Sequence, residues 1–198
     1  MPRTGLSADE VRERAVEVAA DAIRRLGFER VRLVDVARDL GVSHAALYKH
    51  FADKTVLLDA VSERWLGEVD ATLEKLAQRP NRSAEQRIRD VFLALHRAKR
   101  ERVLADPALY HAFDTAAEAL KPFIVRHLEA LQRLLLGLVK EAQGGGEIGK
   151  GKAAAIATLL VDATASFTHP KLVSEHAERN RETELQLLLT TVFLGLRA

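Results

Sequence analysis

The sequence predicts an all-α protein built in two parts, on the basis of three observations. Apolar residues recur every three or four positions along almost the whole chain, which is the spacing of helices. Alternating runs of β-branched residues, which would indicate strands, are missing from the sequence. Helix-start patterns recur at Ser7, Ser43 and Ser83. Because the chain has 198 residues, 47% of them hydrophobic, it can form a large core, and we expect about nine helices.

Composition excludes several classes of protein. The chain has no cysteine, which rules out a disulfide scaffold, a thiolate metal site and a cysteine nucleophile. Residues 1–18 carry charges at every turn and lack the apolar segment of a secretory signal. No apolar run approaches the ~20 residues that cross a membrane, and the longest candidate, 153–167, contains Asp162. We therefore expect a soluble, cytoplasmic protein.

The first predicted helix begins after Ser7 and ends before Gly27, with its apolar side chains on one face between residues 11 and 26. Ser7 and Glu10 have the spacing of a capping box, in which each side chain bonds the other residue's backbone. Glycine is favoured just past a helix end, which explains Gly27. A second apolar stripe, over residues 33–40, predicts a second helix that Gly41 ends.

A third, very short helix is predicted over residues 44–51, with Ser43 at its N-cap. Asp53 is placed to cap a fourth helix, which is long and runs toward Pro80. We expect the domain boundary just before this long helix. Residues 1–52 then form one domain and residues 53–198 a second.

The second part continues as helices. A second capping box at residues 83–86 opens a fifth helix to about residue 105. Asp106 and Pro107 signal the start of the next helix, and Pro122 restarts the pattern, which continues to residue 143. After a glycine-rich segment, residues 152–169 predict one helix, and residues 179–197 predict the last.

The glycine-rich segment, residues 144–151, has the order G-x-x-x-x-G-K of a phosphate-binding loop. Position 151 is glycine, however, where such a loop needs Ser or Thr to hold magnesium. The segment also follows a predicted helix rather than a strand. We therefore interpret it as a flexible, solvated linker without a nucleotide site.

Charge is nearly balanced over the whole chain but unevenly distributed. The formal net charge is only +2, from 30 basic and 28 acidic residues. Between residues 24 and 54, seven basic residues face four acidic ones, a local excess of +3. An ordinary solvated helix surface could show the same excess. The excess therefore indicates nucleic-acid binding only if a motif places these residues on one surface. The seven basic residues are Arg24, Arg25, Arg30, Arg32, Arg38, Lys49 and Lys54.

The second and third predicted helices have the features of a helix-turn-helix. Gly41 supplies the sharp turn between them, and Val42 fills the angle next to it. The third helix is too short to serve as scaffolding, and its outward residues are small or can form hydrogen bonds. A helix of this size fits the major groove of DNA, and its N-terminal N–H groups can face a phosphate.

Residues 34–61 resemble the tetracycline-repressor (TetR/AcrR) family of transcriptional regulators. The shared features are Gly27-Phe28, Gly41-Val42-Ser43, Leu47-Tyr48, His50-Phe51 and Lys54. The resemblance covers roughly the first 65 residues and is specific as a combination. It implies an N-terminal three-helix helix-turn-helix domain that binds DNA, followed by a helical domain that binds a ligand and dimerises.

The resemblance also implies which residues contact DNA. Three are expected on phosphates and three on base edges, where a lysine can donate to guanine and an alanine methyl can contact thymine. The alternatives are packing at the core edge for Tyr48 and helix capping for His50. The expected phosphate contacts are Tyr48, His50 and Lys54, and the expected base contacts are His44, Ala45 and Lys49.

Three more residues complete the expected DNA-facing set: Arg32, Ser43 and Ala46. Arg32 is a departure from the family, which often has a threonine there to cap the second helix. An arginine at this position could contact a phosphate itself.

Family members usually carry a ligand cavity in their second half, and aromatic residues mixed with His and Asp are a reasonable lining for it. Plain core packing is the alternative. His111 and Asp114 share a helix face, but no two histidines have the i, i+4 spacing of a helical metal site, so a metal stays an open alternative. The candidate lining residues are Phe92, His96, Tyr110, Phe113, Asp114, Phe123, His127 and Phe167.

The predicted function is sequence-specific DNA binding by a transcriptional regulator without enzymatic activity. The resemblance implies a repressor that is released from its operator by an unidentified small-molecule effector and needs no cofactor. It also implies a homodimer through the last two long helices, with recognition helices ~34 Å apart on double-stranded DNA. Two alternatives remain: an effector-independent regulator or activator, and a helical enzyme or partner-binding bundle that keeps the motif as scaffolding.

Overall fold

The computed structural model describes residues 7–197. Residues 1–6, where the charged N-terminal stretch begins, and Ala198 lie outside the described residues. Within 7–197 the chain forms helices and no strand, so the predicted all-α class is confirmed. None of these helices is both long and apolar enough to cross a lipid bilayer. The helices are α1 (Ala8–Leu26), a 3-10 helix (Phe28–Arg30), α2 (Leu33–Leu40), α3 (His44–Tyr48), α4 (Lys54–Ala77), α5 (Ala84–Ala105), α6 (Pro107–Glu118), α7 (Pro122–Gly144), α8 (Ala153–Ala163), α9 (Ala165–Thr168), α10 (Pro170–Glu175) and α11 (Glu182–Leu196).

The helix starts predicted from the sequence are formed by side-chain caps. The Ser7 N–H donates to the Glu10 carboxylate at 2.7 Å, and the Glu10 N–H donates back to the Ser7 hydroxyl at 3.3 Å. Ser43 accepts a bond from the Ala46 N–H at 3.1 Å and so begins α3. These bonds satisfy N–H groups that have no partner inside the helix, which stabilises each start by about 1 kcal/mol.

The helices group into two compact units. The first unit contains residues 7–65 and 106–121, and the second contains residues 66–105 and 122–197. Residues 106–121 join the first unit because α6 packs against α1 and the 3-10 helix. The boundary predicted at residue 52 does not coincide with this grouping. The predicted boundary concerns which residues bind DNA. The grouping of helices does not test this, so the boundary stays a prediction.

The core of the first unit holds the helix-turn-helix in place. Leu47 of α3 and Phe51 just after it are fully buried, in a cluster with Ile23 of α1 and Val36 of α2. Burying a side chain of this size contributes about 1.5–3 kcal/mol. Gly41, with φ of 74°, makes the left-handed turn between α2 and α3. The orientation of α3 therefore depends on residues far apart in the sequence.

Asp106 attaches α6 to α1. Its carboxylate is almost fully buried and accepts a bond from the Arg24 guanidinium at 2.8 Å. The same carboxylate accepts a bond of 3.4 Å from the Leu109 N–H, at the start of α6. The hydrogen bond to Asp106 raises the pKa of Arg24. One acidic side chain thus caps a helix and fixes its neighbour.

The second unit is arranged around α5. This helix packs against α7, α9, α10 and α11, and α7 packs in turn against α8. The buried face of α5 includes Ile88, Phe92 and Leu95. The Arg100 guanidinium of α5 also donates to the Ala177 carbonyl, beyond the end of α10, at 2.8 Å. The helix that carries two of the candidate ligand residues is therefore the central one.

Residues 152–169 do not form the single helix that the sequence predicts. α8 ends at Ala163, and the buried Thr164 hydroxyl lies 2.8 Å from the carbonyl oxygen of Leu160. Such a bond competes with the continuing helix. α9 then ends before His169, because a proline at position 170 disfavours helical backbone in the residue before it. Residues 7–197 therefore contain eleven α-helices rather than about nine.

The glycine-rich segment at 144–151 is not the solvated linker that the sequence predicts. Ile148 is 4% exposed, and the Glu147 carboxylate accepts bonds from the N–H groups of Ala84 (3.0 Å) and Glu85 (2.8 Å). Burial opposes the charged form of Glu147, but these N–H groups, with Ser83 and Arg87, outweigh it and lower the carboxyl pKa. The segment is thus a cap for the start of α5.

Candidate nucleic-acid interface and ligand sites

The recognition helix of the motif, α3, presents a small outward surface. Leu47 is fully buried, whereas His44, Ala45 and Lys49 are exposed and Tyr48 is 44% exposed. The Ser43 cap fixes the first turn of the helix. Short polar and methyl groups on a rigid, capped helix are suited to reading base edges in a major groove.

His44 and Tyr48 act as one element on this surface. Their ring centroids lie 4.4 Å apart, in an edge-to-face arrangement with an interplanar angle of 85°. Edge-to-face pairs of this kind add about 0.5–1.5 kcal/mol beyond the burial of area. The Tyr48 ring therefore packs on its own helix, which limits the directions that its hydroxyl can take.

The remaining predicted contacts lie beside α3. The Lys54 ammonium, at the start of α4, donates to the Glu29 carbonyl at 2.9 Å. Since an ammonium has three N–H donors, this bond is compatible with a phosphate contact. His50 is half-buried, with its ring 6.5 Å from that of Phe51. Arg32 occupies the N-cap position of α2 without forming a side-chain cap bond, and it is exposed.

Ion pairs separate the basic residues of this stretch into paired and unpaired ones. Arg25 and Arg38 both pair with Asp39, at 3.5 and 3.4 Å, and Arg24 pairs with acids as well. Within residues 7–197, Arg30, Arg32 and Lys49 have no ion-pair partner. These three cations, and Lys54 through its remaining N–H donors, are more available to attract phosphates than the paired arginines.

The predicted ligand residues fall into two sets, one in each unit. In the first unit, Tyr110 and Phe113 stack on Trp65, with the Phe113 ring 4.8 Å and the Tyr110 ring 6.3 Å from the indole. Burial raises the pKa of Tyr110, and the charge of Asp114 adds to this. In the second unit, five candidates are buried. They are Phe92, His96, Phe123, His127 and Phe167.

A buried polar cluster in the second unit includes one residue that the sequence analysis missed, Lys99. Its ammonium donates to the Thr168 carbonyl at 2.5 Å, and His96, one turn earlier, lies 2.8 Å from the Phe167 carbonyl. The other ring nitrogen of His96 is buried without a hydrogen-bond partner in the described part of the chain. Burial lowers the Lys99 pKa to about 8, although the charge of Asp70 opposes the shift.

A signal for Lys99 was present in the sequence. It lies three residues after His96 and seven after Phe92, on the apolar stripe of α5. The sequence contains no comparable signal for the hydrogen-bond partner of His127. Asp70, whose Oδ1 is 2.5 Å from His127 Nδ1, belongs to a different helix 57 residues away. Across residues 7–197, no group of three or more acids and histidines is arranged to hold a metal ion.

A groove of 520 Å³ lies between α4 and α7 in the second unit. None of the predicted ligand residues lines it. Asp70 does line it, and therefore connects the groove to His127. The lining residues are Asp70, Leu73, Glu74, Ala77, Gln78, Ala130, Leu131, Arg133, Leu134, Gly137 and Leu138.

Two family models match most of the chain. Residues 15–61 match the model described as "Bacterial regulatory proteins, tetR family". Residues 84–189, more than half of the chain, match the model described as "Tetracyclin repressor-like, C-terminal domain". The chain belongs to the tetracycline-repressor family. The resemblance read from the helix-turn-helix residues is thereby confirmed, and this TetR-family protein is a DNA-binding transcriptional regulator.

Solved structures of three other proteins share the fold. A Rhodococcus sp. RHA1 protein of unknown function is 28% identical, with a TM-score of 0.70 and 100% of both chains covered. A TetR/AcrR regulator from Thermobifida fusca is 19% identical, with a TM-score of 0.68 over 94% of this chain and 98% of that one. FadR from Bacillus subtilis is 16% identical, with a TM-score of 0.62 over 94% and 97%. No curated protein matches the sequence.

Proposed function

We propose that this TetR-family regulator is a repressor that binds its operator as a homodimer and is released by a small-molecule effector. The observation that supports DNA binding at the predicted residues is the geometry of α3. Leu47 anchors this helix in the core, while His44, Ala45, Tyr48 and Lys49 face outward. A repressor of this kind acts in the cytoplasm, where its operator is, and needs no catalytic residue.

The proposed DNA contacts divide into two kinds. Lys49 and Ala45 read base edges, with Lys49 donating to guanine and the Ala45 methyl contacting thymine. His44 joins them, held by its contact with Tyr48. The Tyr48 hydroxyl and the remaining cations and donors bind phosphates, which sets the position of the helix without reading sequence. The proposed phosphate-side residues are Arg32, Ser43, Tyr48, His50 and Lys54, and Ala46 completes the proposed DNA-facing set.

Dimerisation is proposed to occur through α8 and α11. Both helices expose large apolar side chains: Leu159 is 48% exposed on α8, and Leu187 and Leu194 are 66% and 59% exposed on α11. Exposed apolar side chains of this size that share one helix face, as Leu187 and Leu194 do, are typical of protein interfaces. On α11, a Cβ at Gly195 would meet no atom within 4 Å, which leaves space for a second helix to approach closely.

Release by an effector requires that the effector bind one conformation of the protein more tightly than the other. α4 begins with Lys54 in the first unit and continues into the second unit, so its residues belong to both. The structural relative FadR from Bacillus subtilis was solved in complex with stearoyl-CoA, a small-molecule ligand. Both points support an effector site in the second half of this chain.

Fluorescence anisotropy with DNA from upstream of the protein's own gene tests this proposal. We expect a nanomolar, salt-sensitive complex. Lys49→Ala should weaken it about tenfold, since a lysine–guanine contact contributes about 1–3 kcal/mol. Lys140→Ala, an exposed lysine on α7, is the matched control and should bind like the wild type.

Two results would contradict the assignment of the site. One is unchanged binding by both Tyr48→Ala and Lys54→Ala, with thermal midpoints showing that both variants fold. The other is equal affinity for the promoter and for random DNA. If every ligand tested leaves operator affinity unchanged, the effector-independent alternative replaces the proposed release.

A further inference from the structure

The groove between α4 and α7 has the size and shape of a site for an elongated small molecule. Its volume of 520 Å³ falls in the range of ligand sites, about 300–1,000 Å³. The lining residues of α4, with Gln78 just past its end, share one helix face, as do the α7 residues from Ala130 to Leu138. Each face extends over eight steps of the helix, or about 12 Å.

The floor of the groove is apolar. Leu73, Leu131 and Leu138 are 2%, 7% and 5% exposed, so they form a closed surface below it. Ala77 and Ala130 have only a methyl group each, which keeps the sides of the groove low. An aliphatic chain lying along this floor would remove its own apolar surface from water.

Gly137 leaves the α7 side of the groove open. A Cβ at this position would meet no atom within 4 Å, so packing inside the chain does not require a glycine. Its backbone is also ordinary helix, in the interior of α7. Glycine in a helix interior destabilises the free protein relative to alanine. A ligand that passes over Gly137 would explain why the side chain is absent.

The charges at the rim favour a cation. Asp70 and Glu74 lie one turn apart on α4, where two like charges repel each other. The Glu74 carboxylate has no hydrogen bond or ion pair within residues 7–197. Asp70 uses its Oδ1 to bond His127 at 2.5 Å, which orients the carboxylate, and its charge also acts on the buried Lys99, so Glu74 is the less compensated acid of the two. The one basic residue of the rim, Arg133, points to solvent and lies 3.8 Å from Glu129 on its own helix.

We propose that this groove binds the effector of the regulator and that the effector is an aliphatic amine. Its ammonium group lies between Asp70 and Glu74, and its apolar chain lies along Leu131 and Leu138, across Gly137. This inference rests on the proposed function, because it names the chemical class of the effector. A fatty acid of the same length would place its carboxylate against two acidic residues and is expected to be excluded.

Isothermal titration calorimetry on the full chain separates these ligand classes. The probes are octylamine, octanol and octanoate, which share one apolar chain and differ in the charge of the head. We expect octylamine to bind, octanol to bind about tenfold more weakly and octanoate not to bind. Octanoate binding as tightly as octylamine, or no binding by any probe, overturns the proposal.

Glu74→Gln tests the rim without disturbing the Asp70–His127 bond. We expect octylamine affinity to fall at least about threefold, which is what a partly exposed ion pair contributes. Glu68→Gln is the matched control, since it removes the same charge from the same helix outside the groove, and it should match the wild type. Equal affinity in the two variants would show that the rim charges do not bind the amine.

Gly137→Leu tests the floor. The side chain should fill the groove and abolish binding of octylamine and octanol alike, while the thermal midpoint stays at or above that of the wild type. Binding that survives this change places the ligand elsewhere.

Operator affinity, measured with and without octylamine, is a separate readout. If the amine binds but operator affinity does not change, the groove is an amine site but the amine does not release the protein from DNA. If the chain binds no operator, the proposed function is wrong.

Discussion

Replacing Lys99 by methionine tests whether a buried charge limits the stability of the second unit. Lys99 is 4% exposed, and burial lowers its pKa from 10.5 to about 8. The folded protein therefore releases this proton near pH 8, whereas the unfolded chain holds it until about pH 10.5. Between these values the unfolded chain binds more protons, so the free energy of unfolding rises with pH.

The size of the effect follows from the shift. At 1.36 kcal/mol per pKa unit, a charged Lys99 costs the folded protein about 3 kcal/mol near neutral pH. Most of this cost disappears by pH 10, so the wild type should gain about 2–3 kcal/mol relative to Lys99→Met between pH 7 and pH 10. Subtracting one protein from the other cancels the titration of groups common to both.

Urea unfolding of both proteins at pH 7, 8, 9 and 10, followed by circular dichroism, measures this difference. We expect Lys99→Met to be as stable as the wild type or more stable at pH 7, since methionine fills a similar volume without a buried charge. The advantage should shrink steadily as the pH rises. A difference that stays constant from pH 7 to pH 10 would refute the reasoning, because Lys99 would then not change its charge over that range.

Three further changes test local features of the fold. Gly41→Ala should lower the free energy of unfolding by about 1–2 kcal/mol, because φ of 74° is unfavourable for any residue with a Cβ, and urea midpoints measure this. Glu147→Gln should lower the free energy of unfolding by about 1–2 kcal/mol at pH 7, as expected for hydrogen bonds to a charged group, and urea unfolding should show this loss shrink as the pH falls through the lowered carboxyl pKa. Asp106→Asn should lower the thermal midpoint by a few degrees, because it keeps the helix cap and removes the charge that faces Arg24.

Local signals in the sequence predicted the first unit well. Ser7, Gly41 and Ser43 each specify a helix end through their own backbone or side chain, so their effect can be read without knowing the rest of the fold. The identity of α3 as a recognition helix also followed from a short run of residues. Which basic residues are paired could not be predicted in this region, because the pairing of Arg25 with Asp39 depends on how α1 and α2 pack.

In the second unit, the sequence was least informative where distant residues meet. The bond from Thr164 to Leu160 ends α8 inside an apolar run that shows no break. The Glu147 carboxylate looked like part of a loop until its partners, the first N–H groups of α5, were known. The groove between α4 and α7 likewise depends on two segments about sixty residues apart.

The contacts made by the end of α11 bear on how the protein should be engineered. The Gly149 N–H donates to the Leu196 carbonyl at 2.7 Å, and Arg197 reaches the Glu85 carboxylate at 2.6 Å. Trimming the last few residues would therefore loosen the glycine-rich segment and the start of α5 together.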